Sequence, residues 1–211
     1  MFQDFKQLSF QVHQALAAQG VQVVAGHVQQ ILCADLGYAS LAALQAAAPI
    51  EQPGVGGAKY IVCDLDSARA RAIALGMPAA IADAVYGALK EAANGQARVY
   101  ASEAEFVDDV VHEEVTMGPG LADALSGPIA TTNAYGPGDV DVEFESPPSI
   151  EWGGDSWSLE MNGTLALDQD RDKPFSGSKI AFEGQIEYPR AGRRLLLGKP
   201  RITADGDVSD F

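Results

Sequence analysis

Apolar positions in the first hundred residues recur at helical spacing. Phe5, Leu8, Val12, Ala15 and Leu16 share one face of a first helix, and Gln19-Gly20 ends the run. Val28, Ile31, Leu32 and Leu36 repeat the spacing in a second helix, with Gly37 placed to stop it. Ser40 is positioned to cap a third helix whose Leu41 and Leu44 turn back toward the second, with Tyr38 as a wedge in the turn. These three helices make a small helix-turn-helix-like bundle over residues 1–48. After a glycine-rich loop, Tyr60–Cys63 reads as a short buried strand. Asp66 or Ser67 caps a helix running to Leu75, which Gly76 ends. Met77, Ile81, Val85 and Leu89, with Ala80, Ala84 and Ala88, mark the buried face of the next helix. Arg98–Tyr100 reads as another short strand, and Ser102–Glu105 as a capping box opening a helix through Val111 toward Glu114.

From residue 139 the period drops to two. Val140, Val142 and Phe144 alternate with Asp141, Glu143 and Glu145. Trp157, Leu159, Met161, Leu165 and Leu167 keep one phase, and Ile180, Phe182, Ile186 and Tyr188 another. Such alternation predicts an antiparallel meander with one wet face, continued by Arg194–Leu197 and Arg201–Thr203 and closed by a frayed tail from Asp205. Between the two regimes, residues 118–138 are rich in Gly and Pro, with one helical turn at Leu121–Leu125, and read as a linker or a functional loop. The expected class is α+β. A mainly helical domain at 1–117 is followed by an antiparallel β domain at 139–211.

The stretch Gly26, His27, Leu32, Leu36, Gly37, Tyr38, Ser40 and Leu44 resembles a short helical module of bacterial proteins. That module stands at the N-terminus of some glyoxalase-superfamily-related proteins and in proteins of plasmids and phages. The resemblance covers about the first quarter of the chain. It carries over no catalytic residue, and no glyoxalase metal-ligand pattern follows downstream.

Charge changes this picture most. The chain of 211 residues has a formal net charge of −15. Residues 101–150 hold eleven acids and no Lys or Arg. DNA binding requires cations that replace phosphate counterions, and Lys6 is the sole base of the N-terminal bundle, so direct nucleic-acid binding is disfavoured. No apolar run approaches the length of a membrane span, and the N-terminus lacks a signal-peptide pattern. Cys33 and Cys63, each inside an apolar run, read as free buried thiols of a reduced cytoplasm.

The chemistry-bearing patterns are incomplete. Ile61–Ser67 resembles the nucleophile strand of haloacid-dehalogenase-type phosphatases, which implies Mg²⁺-dependent attack by Asp64 with Asp66 as acid, but that scheme needs a later Lys and acidic pair on parallel strands, and the helices and β-meander that follow lack such a doubly wound scaffold. Asp168–Asp172 resembles the start of a calcium loop, with Lys173 where glycine is needed and Lys179 where a bidentate Glu belongs. His13, His27 and His112 have no partner at metal spacing, and Gly54–Gly57 lacks a dinucleotide context. Neither a cofactor nor a metal is indicated. The leading expectation is a non-catalytic acidic module binding a basic protein. Its candidate contacts are Glu103, Glu105, Asp108, Asp109, Glu113, Glu114, Asp139 and Asp141.

Overall fold

A computed structural model describes residues 2–47, 54–144, 154–169, 172 and 177–209. The fold is α+β, with helices dominating the first 130 residues and long antiparallel strands the rest. Contacts divide the chain into two compact units. Unit one comprises residues 1–105 with 189–198, and unit two comprises 106–188 with 199–211.

Unit one holds helices α1 (Phe2–Ala18), α2 (Ala25–Asp35), α3 (Leu41–Ala47), α4 (Leu65–Ala74) and α5 (Ala80–Ala93), with strands β1 (Tyr60–Val62) and β2 (Arg98–Tyr100). α1 packs on α2 and α5, and α2 and α5 both pack on α4. Phe5, Val12, Leu16, Val28, Ile31, Leu32, Leu36 and Leu44 are buried in one cluster, as their spacing predicts. On α5 the buried small residues are Ala82, Ala88 and Ala93, while Ala84 is half-buried and Ala80, at the helix start, is exposed. β1 and β2 run parallel, which α4 and α5 permit by forming the crossover. The sequence places both strands but not their pairing, because strands of three residues are too short to show a period.

The turn after α2 follows from Gly37. Its φ is 80°, Gly37 N–H donates to Ala34 O at 3.0 Å, and Tyr38 N–H donates to Cys33 O at 2.7 Å. This is a Schellman ending, and it needs a left-handed residue. Ser40 Oγ then accepts from Ala43 N–H at 3.1 Å and caps α3. Residues far along the chain dock on the turn. The Arg193 guanidinium donates to Gly37 O at 3.1 Å and lies 5.0 Å over the Tyr38 ring, whose hydroxyl accepts from Arg193 N–H. Gly37→Ala is expected to destabilise the protein by about 1–2 kcal/mol, the cost of a left-handed Cβ. An added Cβ would meet Arg194 only at ordinary contact distance, so the loss reports the backbone. Chemical denaturation would measure it, and an unchanged midpoint would contradict the reading.

Helix α6 (Glu103–Phe106) leads into unit two, which continues with a π-helical turn (Val107–Val111), α7 (His112–Met117), α8 (Gly120–Ala124) and α9 (Ser126–Ala130). The Gly/Pro-rich segment 118–138 therefore carries two short helices and the start of a strand rather than one long loop, and the contact division falls after Glu105. Strands β3 (Ala134–Phe144), β4 (Ser156–Gln169), β5 (Lys179–Gly192) and β7 (Arg201–Ser209) follow. They lie in the order β7-β5-β4-β3, with β3–β4 and β5–β7 antiparallel. The last residues of β5 belong to unit one, where they pair with the two-residue β6 (Leu195–Leu196), which also pairs antiparallel with β1. Trp157, Leu159, Met161, Leu165, Ile180, Phe182, Ile186 and Tyr188 are buried, so the period-two phase holds through β4 and β5.

The frayed tail is corrected. Residues 205–209 complete β7, paired residue for residue with β5. Gly206 is what hides the strand in the sequence, since it leaves a gap in the apolar alternation. A Cβ there would stand 2.5 Å from Ile180 Cγ2 and 3.0 Å from Leu125 Cδ2, so only glycine lets α8 and β5 close on β7.

Candidate functional site

Strand alternation places the unit-two site. Side chains at i and i+2 share a face, so turning the apolar phase of each strand inward, buried on β4 and β5 and mostly half-buried on β3 and β7, leaves the other phase in solvent. In β3 that phase contains Asp139, Asp141 and Glu143, in β4 Glu160, in β5 Glu183, and in β7 Asp205 and Asp207, all exposed. Asp141 and Glu143 stand opposite Thr164 and Asn162. Glu183 stands directly opposite Asp205. Like charges directly opposite across an antiparallel pair destabilise a sheet.

An open groove of about 1450 Å³ runs along these strands. Asp141, Glu143, Glu160, Glu183, Asp205 and Asp207 line it, together with Ala124, Gly127 and Pro128 from the helices. No Lys or Arg lines it, and none of the six carboxylates has an ion-pair partner among the described residues. The wider unit reinforces its field. Unit one contains nine acids and nine bases, whereas unit two contains twenty acids and five bases, so the whole formal charge of −15 resides in unit two.

The expected contact residues are dispersed by this geometry. Asp141 lies in the groove, and Asp139 is exposed two residues away on the same strand. Asp108 and Asp109 are exposed on the π-helical turn, Glu113 is exposed on α7, and Glu114 there is half-buried. Glu103 and Glu105 belong to unit one and are engaged locally. Glu103 accepts from Arg194 at 3.1 Å. Ser102 Oγ accepts from Glu105 N–H, and the Glu105 carboxylate accepts from Ala101 N–H, one residue before the expected capping-box partner. Sequence reasoning missed Glu143, Glu160, Glu183, Asp205 and Asp207. The alternation could have collected the first three, but the last two fell in the segment read as a tail.

The Asp64-Asp66 pair is not brought together. Asp64 caps α4, accepting from Ser67 N–H at 3.0 Å and from Ser67 Oγ at 2.9 Å, and pairs with Arg194 at 3.4 Å. The capping residue is thus Asp64, not Asp66 or Ser67. Asp66 has its side chain 95% exposed and pairs with Arg69. One of the two acids serves a helix cap and the other turns to solvent. His13 Nε2 lies 3.0 Å from Val23 O and serves the α1–α2 connection. His112 is exposed, its ring edge-on to Phe144 at 6.4 Å. Among the described residues no group of three or more His, Cys, Asp or Glu is arranged to hold a metal ion. The Asp168–Lys173 run lies partly outside the described residues.

Cys33 and Cys63 are free and buried. Burial pushes the Cys33 thiol up to about 12 and Cys63 well above its usual range, with the neighbouring Asp35 carboxylate adding to the effect at Cys63. Neither thiol has the thiolate character of a nucleophile at neutral pH. No helix among the described residues is long and apolar enough to cross a membrane.

No family model, no characterised protein and no solved structure matches the chain.

Proposed function

We propose that this is a non-catalytic, cytoplasmic protein whose unit two binds a basic protein partner through the acidic groove. One observation carries the reading: six carboxylates from four strands converge on one open groove, with no ion-pair partner and no lining Lys or Arg among the described residues. A solvated sheet face normally mixes both signs, and mixed pairs stabilise it by about 0.2–1 kcal/mol each. Here the face accepts like charges opposite each other, a stability cost that recognition of a cationic surface would offset. Complementary potentials steer encounter and discriminate against wrong partners more than they set affinity. An inhibitor, immunity-type or accessory protein of a bacterial mobile element works in this way when its target presents a basic active surface.

The test compares two tagged baits in nuclease-treated lysate of the native host. One is the wild type, and the other carries Asp→Asn and Glu→Gln changes at the six groove positions. The reading expects a basic protein retained by the wild type, released by moderate salt and lost from the neutralised bait. Retention of the same proteins by both baits would remove the groove from the account.

A further inference from the structure

The only charged side chain among the fully buried residues described is Asp35, at the last position of α2 and 1% exposed. Its place in the chain explains the burial. It follows Ile31, Leu32, Cys33 and Ala34 and precedes Leu36, all of them buried, so the helix end that delivers Leu36 to the core carries the carboxyl in as well. Its main-chain oxygen accepts from Asp64 N–H at 2.9 Å, tying the end of α2 to the start of α4. The Cys63 thiol hydrogen-bonds its side chain. Its Oδ1 has no hydrogen-bond partner among the described residues.

The groups around it do not neutralise a negative charge. Cys63 and Asp64 face it from the β1–α4 junction, and Arg194 from the segment after β5. Arg194 is already committed to Asp64 and Glu103. Glu105 of α6 and Tyr86 of α5 complete the surroundings, and the Tyr86 hydroxyl is pushed up to about 12 by burial and by Glu105, Cys63 and Asp35. A carboxylate placed here faces the Asp64 carboxylate, a guanidinium already shared with Asp64 and Glu103, and has one oxygen without a hydrogen-bond partner among the described residues. Its neutral form carries no charge to be solvated in that buried place.

We propose that Asp35 is a proton-operated latch in unit one: protonated, it seals the α2–β1–α4 junction, and ionised, it loosens that junction around Cys63 and the Asp64–Arg194–Glu103 bridge. Burial pushes the carboxyl up to about 7, with Asp64 adding to the rise and Arg194 and the Cys63 hydrogen bond opposing it. The folded state then holds a proton that the unfolded chain has released above its ordinary value of 3.8. Stability contributed by this group falls as pH rises from about 4 to about 7, then levels off. The latch is independent of the groove, so it survives if the binding reading fails.

The experiment uses the full chain. Infrared spectroscopy of the wild type and Asp35→Asn follows the carbonyl stretch of a protonated carboxyl during a pH titration. That band should persist in the wild type to about pH 7 and be missing in the variant. Amide hydrogen exchange at Ile61–Asp64, corrected for intrinsic rate, should lose protection by about tenfold or more in the wild type between about pH 5 and pH 8. In Asp35→Asn protection there should stay level. A band lost by about pH 5, or equal pH dependence in both proteins, overturns the latch. Should the variant fail to fold, the infrared titration and exchange profile of the wild type alone decide the matter.

Discussion

Trp157→Ala is expected to destabilise unit two by about 3–5 kcal/mol, the usual range for truncating a large buried aromatic. Trp157 is fully buried on β4. Its ring meets Phe106 edge-on at 5.3 Å and Tyr188 at 5.5 Å, and those two meet each other at 5.3 Å. The trio joins the first helical residue of the unit to two central strands, and deleting the Trp157 ring removes two of its three T-shaped contacts. A loss of this size is a large share of the roughly 5–15 kcal/mol that holds a typical domain. Denaturant unfolding followed by circular dichroism measures it. A change below about 1 kcal/mol would mean that the trio is not the unit's packing centre.

Neutralising the six groove acids should act in opposite directions on stability and on binding. Association with a cationic partner at low ionic strength should weaken by at least about tenfold, since exposed pairs contribute about 0.2–1 kcal/mol each. The loss should appear mainly in the association rate, and it should shrink as salt shortens the screening length to about 10 Å at 0.1 M. Stability should rise. The single change Glu183→Gln, which removes the repulsion with Asp205, is expected to add about 0.2–1 kcal/mol. A groove kept only for solubility would give the stability gain without the binding loss, so measuring both on the same protein separates the two roles.

The helical half was legible because its signals are local. The apolar face of α2, the left-handed Gly37 and the Ser40 cap each follow from residues within one or two turns, and each is realised. What long-range contact decides was not. The docking of Arg193 on Tyr38 links residues 155 positions apart, and no local pattern announces it. Asp64 caps α4 and pairs with Arg194, which arrives from the turn between β5 and β6, 130 positions later. In the sheet, alternation gave the faces, but strand order decides which acids become neighbours. The acidic run within residues 101–150 is divided between the two units. Meanwhile Asp205 and Asp207, some sixty residues beyond Asp141, complete the groove. Asp35 escaped notice for a related reason: a lone acid in an apolar helix end looks like a surface position until the core closes around it.

The most direct test of the groove as a recognition surface is amide NMR of the isotopically labelled chain, titrated with a lysine decapeptide at low salt. The largest shifts are expected on β3, β4, β5 and β7 around the six carboxylates, reversed by added salt and missing in the neutralised protein. Shifts of equal size at Asp108, Asp109, Glu113 and Glu114, or a response that the six substitutions leave unchanged, would contradict it.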